Sequence, residues 1–107
     1  LLAGGRDKHL PWDRWAEVVA RKARHVILFG EAAALIGRAV RQAWTEAGAS
    51  YPQVACCETM EEAVQKAAAL AQAGDVVLLS PGGTSFDAFR DYAERGARFK
   101  ELVRTLP

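Results

Sequence analysis

Six residues near the carboxyl end of the chain, 80–85, read Ser-Pro-Gly-Gly-Thr-Ser and follow an apolar run. Because glycine has no Cβ, Gly82 and Gly83 allow the backbone to approach a ligand closely. Thr84 or Ser85 could cap a following helix, whose first backbone amides would then point toward an anion. The Ser85 hydroxyl could add a hydrogen bond worth about 1 to 3 kcal/mol to a carboxylate. The pattern predicts a corner that binds an acidic ligand, although an ordinary turn between a strand and a helix has the same spacing.

A second polar loop lies near the amino end, where residues 4–10 read Gly-Gly-Arg-Asp-Lys-His-Leu. It follows a short apolar run, and a cation on such a loop can pair with a carboxylate or a phosphate. Lys8 is the strongest candidate for this cation, and Asp7 is a supporting loop residue. His9 is disfavoured as a general base because no acid or nucleophile can be named as its partner. A solvated polar turn is the alternative interpretation of this loop.

Four apolar runs alternate with four helical patterns along the chain. Strands are predicted at residues 1–5, 25–30, 53–57 and 75–80, and helices at 11–23, 32–47, 59–74 and from about 85 onward, the last broken near Gly96. The third helix should begin at Thr59, because Glu62 follows it at the spacing of a capping box.

Strands that are apolar throughout, rather than alternately apolar and polar, indicate a parallel sheet covered on both faces. The sequence therefore predicts a single Rossmann-like α/β domain with a parallel or mostly parallel sheet and helices on both faces. In such sheets ligands bind at the carboxyl ends of the strands. The two polar loops, which follow the first and fourth strands, form the predicted site.

The composition fits one globular domain. The 107 residues are 50% hydrophobic, and 14 Lys and Arg against 13 Asp and Glu leave a net charge of +1. This balance argues against a nucleic-acid or anionic membrane surface, so any charged ligand must be held locally. No apolar run approaches the roughly 18 residues of a membrane span, and the first residues have neither a basic start nor a small-residue cleavage site. We expect a cytoplasmic domain cut from a larger protein, since the chain opens on an apolar run without an initiator Met.

Several catalytic motifs are missing from the sequence. There is no G-x-x-x-x-G-K-[ST] phosphate loop, and residues 30–37 lack the G-x-G-x-x-G order of a dinucleotide site. No Ser-His-Asp pattern and no metal-ligand spacing is found. Cys56 and Cys57 are adjacent in a predicted strand, where neighbouring side chains point to opposite faces, so we expect buried thiols rather than a disulfide. This segment alone is not expected to hydrolyse ATP, bind NAD or hold a metal.

Aromatic and charged residues recur along the last helical pattern. Its basic residues are interleaved with acids, which is typical of a solvated face with mixed ion pairs. The aromatic residues Phe86, Phe89, Tyr92 and Phe99 follow helical spacing. Most of them should pack in the core, but Phe86 and Tyr92 lie close enough to the glycine corner to form a wall of its pocket.

Three segments resemble a known family. Residues 75–103, DVVLLSPGGTSFDAFRDYAERGARFKELV, resemble the carboxyl-terminal signature of the Mur ligase family, in the branch that adds D-glutamate. Residues 1–8, LLAGGRDK, resemble the family's glycine-glycine loop that ends in lysine, and residues 57–67 resemble its segment before the last strand. The matching positions of the first segment are Leu78, Leu79, Ser80, Pro81, Ser85, Phe86, Asp87, Phe89, Glu94, Arg95 and Gly96.

The resemblance implies the third, Rossmann-like domain of a three-domain ligase, which presents the incoming amino acid. In that family ATP converts the carboxylate of UDP-N-acetylmuramoyl-L-alanine to an acyl phosphate, and the amine of D-glutamate attacks it to form an amide in peptidoglycan biosynthesis. The sites for ATP and Mg²⁺ belong mainly to the other domains. The isolated chain is therefore expected to be inactive and to hold no cofactor, and the parent is expected to be a monomer.

The resemblance also assigns residues by position. Lys8 and Ser85 match residues that bind the carboxylates of D-glutamate in the family. Phe86 matches the neighbour whose backbone faces the substrate, and Tyr92 falls where the family usually has a phenylalanine lining the site. Residues 82–84, Gly-Gly-Thr, replace the more usual alanine-cysteine-alanine, which could loosen the loop, and the Tyr92 hydroxyl could add a donor.

Other interpretations remain open. A sibling Mur-type or folylpolyglutamate-type ligase would share the fold and add a different amino acid. A non-catalytic α/β binding or interaction module would use both polar loops only as turns. A nucleic-acid module is the least favoured, because acids balance the basic residues.

Overall fold

The computed structural model describes residues 1–5, 12–47, 53–82 and 89–107. Strands and helices alternate along these residues, so the predicted order of four βα repeats is confirmed. The elements are β1 (Leu2–Gly4), α1 (Trp12–Lys22), β2 (His25–Phe29), α2 (Ala33–Ala47), β3 (Gln53–Cys57), α3 (Met60–Leu70), β4 (Leu79–Gly82) and α4 (Tyr92–Arg104).

The four strands form one parallel sheet in the order β3-β2-β1-β4. β1 pairs with β2 in regular register, with Leu2 opposite Ile27 and Gly4 opposite Phe29. β2 pairs with β3 from His25 to Phe29, and β4 pairs with the other side of β1. The shortest strand of the sheet, β1, therefore lies in its interior, between β2 and β4.

Helices pack on both faces of this sheet, as the continuous apolar strands predicted. Successive side chains of a strand point to opposite faces, so each strand supplies residues to both cores. One core joins β1 and β2 to α1 and α2; its members include Ala3, Val26, Leu28, Ala16, Val19, Ile36, Val40 and Trp44. The other joins the same strands to α3, with partly buried residues of α4 packed against it; its members include Leu2, Ile27, Phe29, Met60, Ala63 and Val64.

The start of α3 follows the predicted capping box, but its end does not follow the prediction. The Thr59 hydroxyl accepts the N–H of Glu62 at 3.2 Å, which satisfies one of the amides left unpaired at a helix start. The helix ends at Leu70 rather than near Gly74. Gly74 has a φ of 91° and lies in a turn beyond the helix, so the glycine marks that turn and not the helix end.

The fourth strand is displaced from its predicted position. The apolar run predicted residues 75–80, whereas β4 spans Leu79–Gly82. The described ladder pairs β4 only with β1, and β1 begins at Leu2, so residues 75–77 have no strand opposite them among the described residues. Val76 is accordingly 87% exposed.

The last helix also differs from the prediction. It was expected from about residue 85 with a break near Gly96, but residues 89–91 are not helical, and α4 begins at Tyr92 and continues through Gly96. Residues 85–88 lie outside the described residues. Asp91 starts the helix, because its carboxylate accepts the N–H of Glu94 at 2.9 Å. A glycine inside a helix, such as Gly96, costs about 1 kcal/mol of stability relative to alanine. The Asp91 cap and the packing of Phe99 against the core offset this cost.

The expectation of buried thiols is wrong for Cys56. Its side chain is exposed and that of Cys57 is half-buried, and neither forms a disulfide. The reason is that β3 is the end strand of the described sheet and is only partly covered by helices.

Candidate ligand-binding edge of the sheet

Two glycines fix the backbone at the carboxyl end of β1. Gly4 and Gly5 have φ values of 151° and 106°, and a Cβ at Gly4 would collide with the carbonyl oxygen of Phe29. The N–H of Gly5 donates to that same oxygen at 3.1 Å, and the Gly5 oxygen accepts the N–H of Ala32 at 2.7 Å. These hydrogen bonds attach the start of the loop that carries Lys8 to the turn before α2.

The carboxyl end of β4 lies beside the carboxyl end of β1. Gly82, the last residue of β4, is the ladder partner of Gly4, and the register shifts between Leu2 and Gly4. Neighbouring strands lie about 5 Å apart. The two polar loops predicted from the sequence therefore leave the sheet from adjacent positions, at the edge where parallel sheets bind ligands.

Most of the predicted site residues lie outside the described residues, so their roles stay predictions. These residues are Asp7, Lys8, Gly83, Thr84, Ser85 and Phe86. The described members of the predicted site are Gly82 at the end of β4 and Tyr92 at the start of α4.

The aromatic residues around α4 fall into two groups. Tyr92 is the first residue of the helix and its side chain is 80% exposed, so its phenol is accessible to a ligand. Phe89 and Phe99 are partly buried and pack against the core on the α3 side of the sheet. The core role predicted for these two phenylalanines is confirmed, and the role of Tyr92 in lining a site stays a prediction.

A wide cavity of about 560 Å³ lies at the carboxyl ends of β2 and β3. Its lining includes the carboxylates of Glu31, Glu58 and Glu62, which repel an anionic ligand. Burial, and next the Glu62 carboxylate, raise the pKa of the Cys57 thiol in its wall. A raised pKa keeps the thiol protonated, so it is not an activated nucleophile. This cavity is therefore a poor site for an acidic ligand.

The described residues offer no metal centre. Within ranges 1–5, 12–47, 53–82 and 89–107, no group of three or more His, Cys, Asp and Glu side chains is arranged to hold a metal ion. The same ranges contain no helix that is long and apolar enough to cross a membrane.

A second cavity, of about 490 Å³, lies at the amino ends of the strands. Apolar residues such as Val19, Leu70 and Val77 line most of it, and the Arg24–Asp75 ion pair lies at its rim. Ligands of parallel sheets bind at the opposite edge. We therefore do not assign the ligand to this cavity.

The sequence patterns missed three features of the described residues. One is the pair of hydrogen bonds that Gly5 makes, because it depends on which strand neighbours β1. Another is the cap at Asp91, for which the spacing to Glu94 was an available signal. The third is Arg95, which is buried although arginine is usually exposed.

The parallel four-stranded sheet with helices on both faces defines the chain as a Rossmann-like α/β domain. The chain belongs to the Mur ligase family: the model described as "Mur ligase, glutamate ligase domain" matches residues 1–83. The resemblance inferred from the sequence is thereby confirmed.

Two similar proteins carry the same enzyme name. The chain is 41% identical over 107 residues to the UDP-N-acetylmuramoylalanine–D-glutamate ligase of Acetivibrio thermocellus. The aligned region covers 99% of the chain and 23% of that enzyme. It is 44% identical over 106 residues to the ligase of the same name from Symbiobacterium thermophilum, covering 99% of the chain and 22% of the relative. The chain thus spans less than a quarter of the length of these relatives.

Proposed function

We propose that this chain is the D-glutamate-binding domain of a longer ATP-dependent ligase. The ligase would join D-glutamate to UDP-N-acetylmuramoyl-L-alanine in peptidoglycan biosynthesis. The observation that carries the proposal is the pairing of Gly4 with Gly82, from which the loops bearing Lys8 and Ser85 depart side by side. The names of the similar proteins support the choice of D-glutamate.

The proposed binding mode follows from the charge of the amino acid. D-Glutamate carries two carboxylates, and a net charge of +1 gives the chain no strong overall field to attract them. Lys8 pairs with one carboxylate, and the Ser85 hydroxyl binds a carboxylate through a charge-assisted hydrogen bond. The backbone of Phe86 and the side chain of Tyr92 line the rest of the site.

The domain would contribute to catalysis by position. An amine that is held in line with the activated carboxylate reacts as an intramolecular partner, which can be worth several kcal/mol. The two hydrogen bonds of Gly5, at 3.1 and 2.7 Å, support this role because they fix where the Lys8 loop starts. The groups of this chain hold and orient the amino acid.

ATP and Mg²⁺ do not fit the residues of this chain. The sequence has no phosphate loop, and the described residues include no metal-ligating group. We therefore assign both groups to other domains of the parent. The isolated chain should release no ADP above background.

The proposed substrates also set the location and the partners. UDP-linked precursors and ATP are cytoplasmic compounds, so we place the parent in the cytoplasm. Neither nucleic acid nor a membrane is a partner in this proposal, because acids and bases are nearly balanced along the chain. We expect the parent to act as a monomer, which size-exclusion chromatography with light scattering would test.

The deciding experiment measures ADP release by the full-length parent with UDP-N-acetylmuramoyl-L-alanine. D-Glutamate, L-glutamate, L-lysine and diaminopimelate are compared in parallel, and turnover with D-glutamate alone is expected. Turnover with a different amino acid would identify a sibling ligase instead. No turnover with any of the four would favour a non-catalytic binding module.

A variant of Lys8 tests the assignment within the site. Lys8→Ala in the parent should raise the KM for D-glutamate far more than the KM for ATP, because the ammonium is assigned to the amino acid alone. Equal increases in the two constants would refute that role.

A further inference from the structure

The cavity of about 490 Å³ at the amino ends of the strands is an apolar groove, which we call the amino-end groove. Val76, Val77 and Leu78 line one part of it, with 87%, 43% and 55% of their surfaces exposed. α1 and α3 contribute further apolar residues, such as Val19 and Leu70. A continuous apolar surface of this kind is typical of a site that another segment covers.

Leu1 also lines this groove, and its backbone continues the ladder of β1. The Leu1 nitrogen donates to the His25 oxygen at 2.9 Å, and the Leu1 oxygen accepts the N–H of Ile27 at 2.8 Å. On the other side of β1, the N–H of Leu2 donates to the Leu78 oxygen at 2.8 Å. Successive residues of β1 therefore bond alternately to β2 and to the β4 side.

This alternation indicates what a longer β1 would meet. Leu2 lies opposite Leu79 in the ladder. A residue directly before Leu1 in an extended strand therefore lies opposite Val77 and bonds toward the β4 side. The exposed run of residues 76–78 would then have a strand beside it.

Two backbone groups are available for such a strand. By the pattern that joins Leu2 to Leu78, the N–H of the residue directly before Leu1 points at the Val76 oxygen, and its carbonyl oxygen points at the Leu78 N–H. Within the part of the chain that the structure describes, neither of these two groups has a backbone partner. Open backbone groups beside a strand are a template for another strand.

Side chains of an extended segment would fit both sides of the groove. Leu1 packs against the core that contains α1, and Leu2 belongs to the core that contains α3. Since strand side chains alternate between faces, the residue directly before Leu1 points toward Leu70 of α3. The residue before that one points toward Val18 of α1. Apolar side chains suit both positions.

A buried polar atom favours a peptide segment over an apolar small molecule. The Nδ1 atom of His25 is buried and has no hydrogen-bond partner among the described residues, and His25 lines the amino-end groove. Buried polar atoms are nearly always hydrogen-bonded in folded proteins. A peptide brings backbone N–H and C=O groups into the groove, and an apolar ligand does not.

The Leu1 nitrogen favours the same occupant. Burial lowers the pKa of the Leu1 amine, because an ammonium is costly to remove from water. A peptide N–H at this position donates the same hydrogen bond to the His25 oxygen without burying a charge.

We propose that the two residues directly before Leu1 in the longer ligase extend β1 into the amino-end groove and pair with residues 76–78. The relatives support an occupant from the same chain, because the aligned residues form the carboxyl-terminal 23% of the Acetivibrio thermocellus enzyme. From the function proposed above, this inference takes only that the parent is longer than the chain.

The consequence for the ligand edge is a better-held β4. In this chain β4 pairs with β1 only at Leu2 and Gly4. The extension adds hydrogen bonds to β1 just before β4 begins. The strand from which the Ser85 loop departs is therefore held more firmly in the parent than in this chain.

The first test is amide hydrogen exchange of the full-length ligase, resolved to single residues. The Leu78 N–H should exchange at least about a hundredfold more slowly than a free peptide amide, because it is paired. The Gly74 N–H, in the turn after α3, is the control and should exchange within about tenfold of the free rate. Exchange of the Leu78 N–H at the free rate would overturn the proposal.

The second test identifies the occupant by replacing the residue directly before Leu1 in the parent with proline or with alanine. Proline removes the N–H that is assigned to the Val76 oxygen and should speed exchange of the Leu78 N–H at least about tenfold. Alanine keeps this N–H and should change the rate less than about threefold. Unchanged protection in the proline variant would show that another domain or a second copy covers the groove, and would overturn the proposal.

A pair of valines serves where the proline variant fails to fold. Val77 and Val103 are 43% and 44% exposed in this chain, but only Val77 lies in the amino-end groove. In the parent, Val77→Asn should lower the midpoint of thermal unfolding by at least about 4 °C, because it buries an amide beside the new strand. Val103→Asn should lower it by less than about 1 °C. Equal shifts would contradict a filled groove.

The exchange measurement also separates this proposal from the proposed function. Protection of the Leu78 N–H in a parent that uses a different amino acid would support the strand extension and reject D-glutamate as the substrate. Turnover of D-glutamate with a freely exchanging Leu78 N–H would leave the proposed function standing and reject the extension.

Discussion

β1 is bonded differently on its two sides. Toward β2 it pairs in regular register from Leu2 to Gly4, and Gly5 extends this contact with a hydrogen bond to Phe29. Toward β4 it pairs only at Leu2 and Gly4, and the register shifts between them. The β2 side lies in the centre of the described sheet, whereas β4 is at its edge.

This difference separates the two predicted ligand loops. The loop that carries Lys8 starts from a backbone held by the central strands, so its origin is fixed by the core. The loop that carries Ser85 starts from an edge strand, and the residues just before that strand, such as Val76, are exposed. The end of β4, from which the Ser85 loop starts, is therefore held less firmly than the end of β1.

The largest effect is expected at the central side, from Gly4→Ala. The added Cβ would collide with the Phe29 carbonyl oxygen, at a φ of 151° that side-chain-bearing residues rarely adopt. We expect the free energy of unfolding of this chain to fall by at least about 3 kcal/mol, measured by urea denaturation with circular dichroism. A loss below about 1 kcal/mol would show that the β1–β2 junction can move, and that the Lys8 loop is no better fixed than the other.

A matched pair of valines compares the centre and the edge directly. Val26 in β2 is 0% exposed and Val76 before β4 is 87% exposed. Val26→Ala should lower the free energy of unfolding by about 2 kcal/mol, because it leaves a cavity in the core. Val76→Ala, the same chemical change at the edge, should change the free energy of unfolding of this chain by less than about 0.5 kcal/mol. Equal losses would mean that Val76 is covered in solution.

The strands on the two sides of β1 also differ in how well the sequence predicted them. β2 and β3 lie close to their predicted bounds, and they pair with each other along their whole length, so the ends of the two strands coincide. β4 was displaced by about four residues at its start, since the apolar run at 75–78 gives no information on how far the neighbouring β1 extends. Strand pairing is a property of the whole sheet.

Of the two side-chain caps at helix starts, the sequence predicted one and missed the other. The Thr59 and Glu62 spacing identified the start of α3, because a capping box is complete within four residues. The Asp91 cap has the same spacing to Glu94 but was hidden behind Thr84 and Ser85, which offered a plausible earlier start. The adjacency of the two ligand loops followed from the fold rule for parallel sheets, and the roles of Lys8 and Ser85 stay predictions.

A smaller effect should follow from removal of the two caps. Asp91→Ala and Thr59→Ala each remove a hydrogen bond to a helix amide, and each should lower the free energy of unfolding by about 1 kcal/mol. Only Asp91 lies where the chain enters α4 from the Ser85 loop. In the parent, Asp91→Ala should therefore also raise the KM for D-glutamate, and Thr59→Ala should not. The same change in KM for both variants would contradict a special role of α4 in supporting that loop.

The smallest expected effect has the opposite sign and concerns Gly96. This glycine lies in the interior of α4, and a Cβ added there meets no atom within 4 Å. Gly96→Ala should therefore raise the free energy of unfolding by about 0.5 to 1 kcal/mol, because alanine loses less backbone freedom in a helix. The same substitution at Gly4 is expected to be strongly destabilising, so the two variants differ only in backbone conformation and surroundings. If Gly96→Ala destabilised the chain instead, α4 would have to bend or open at this position in solution.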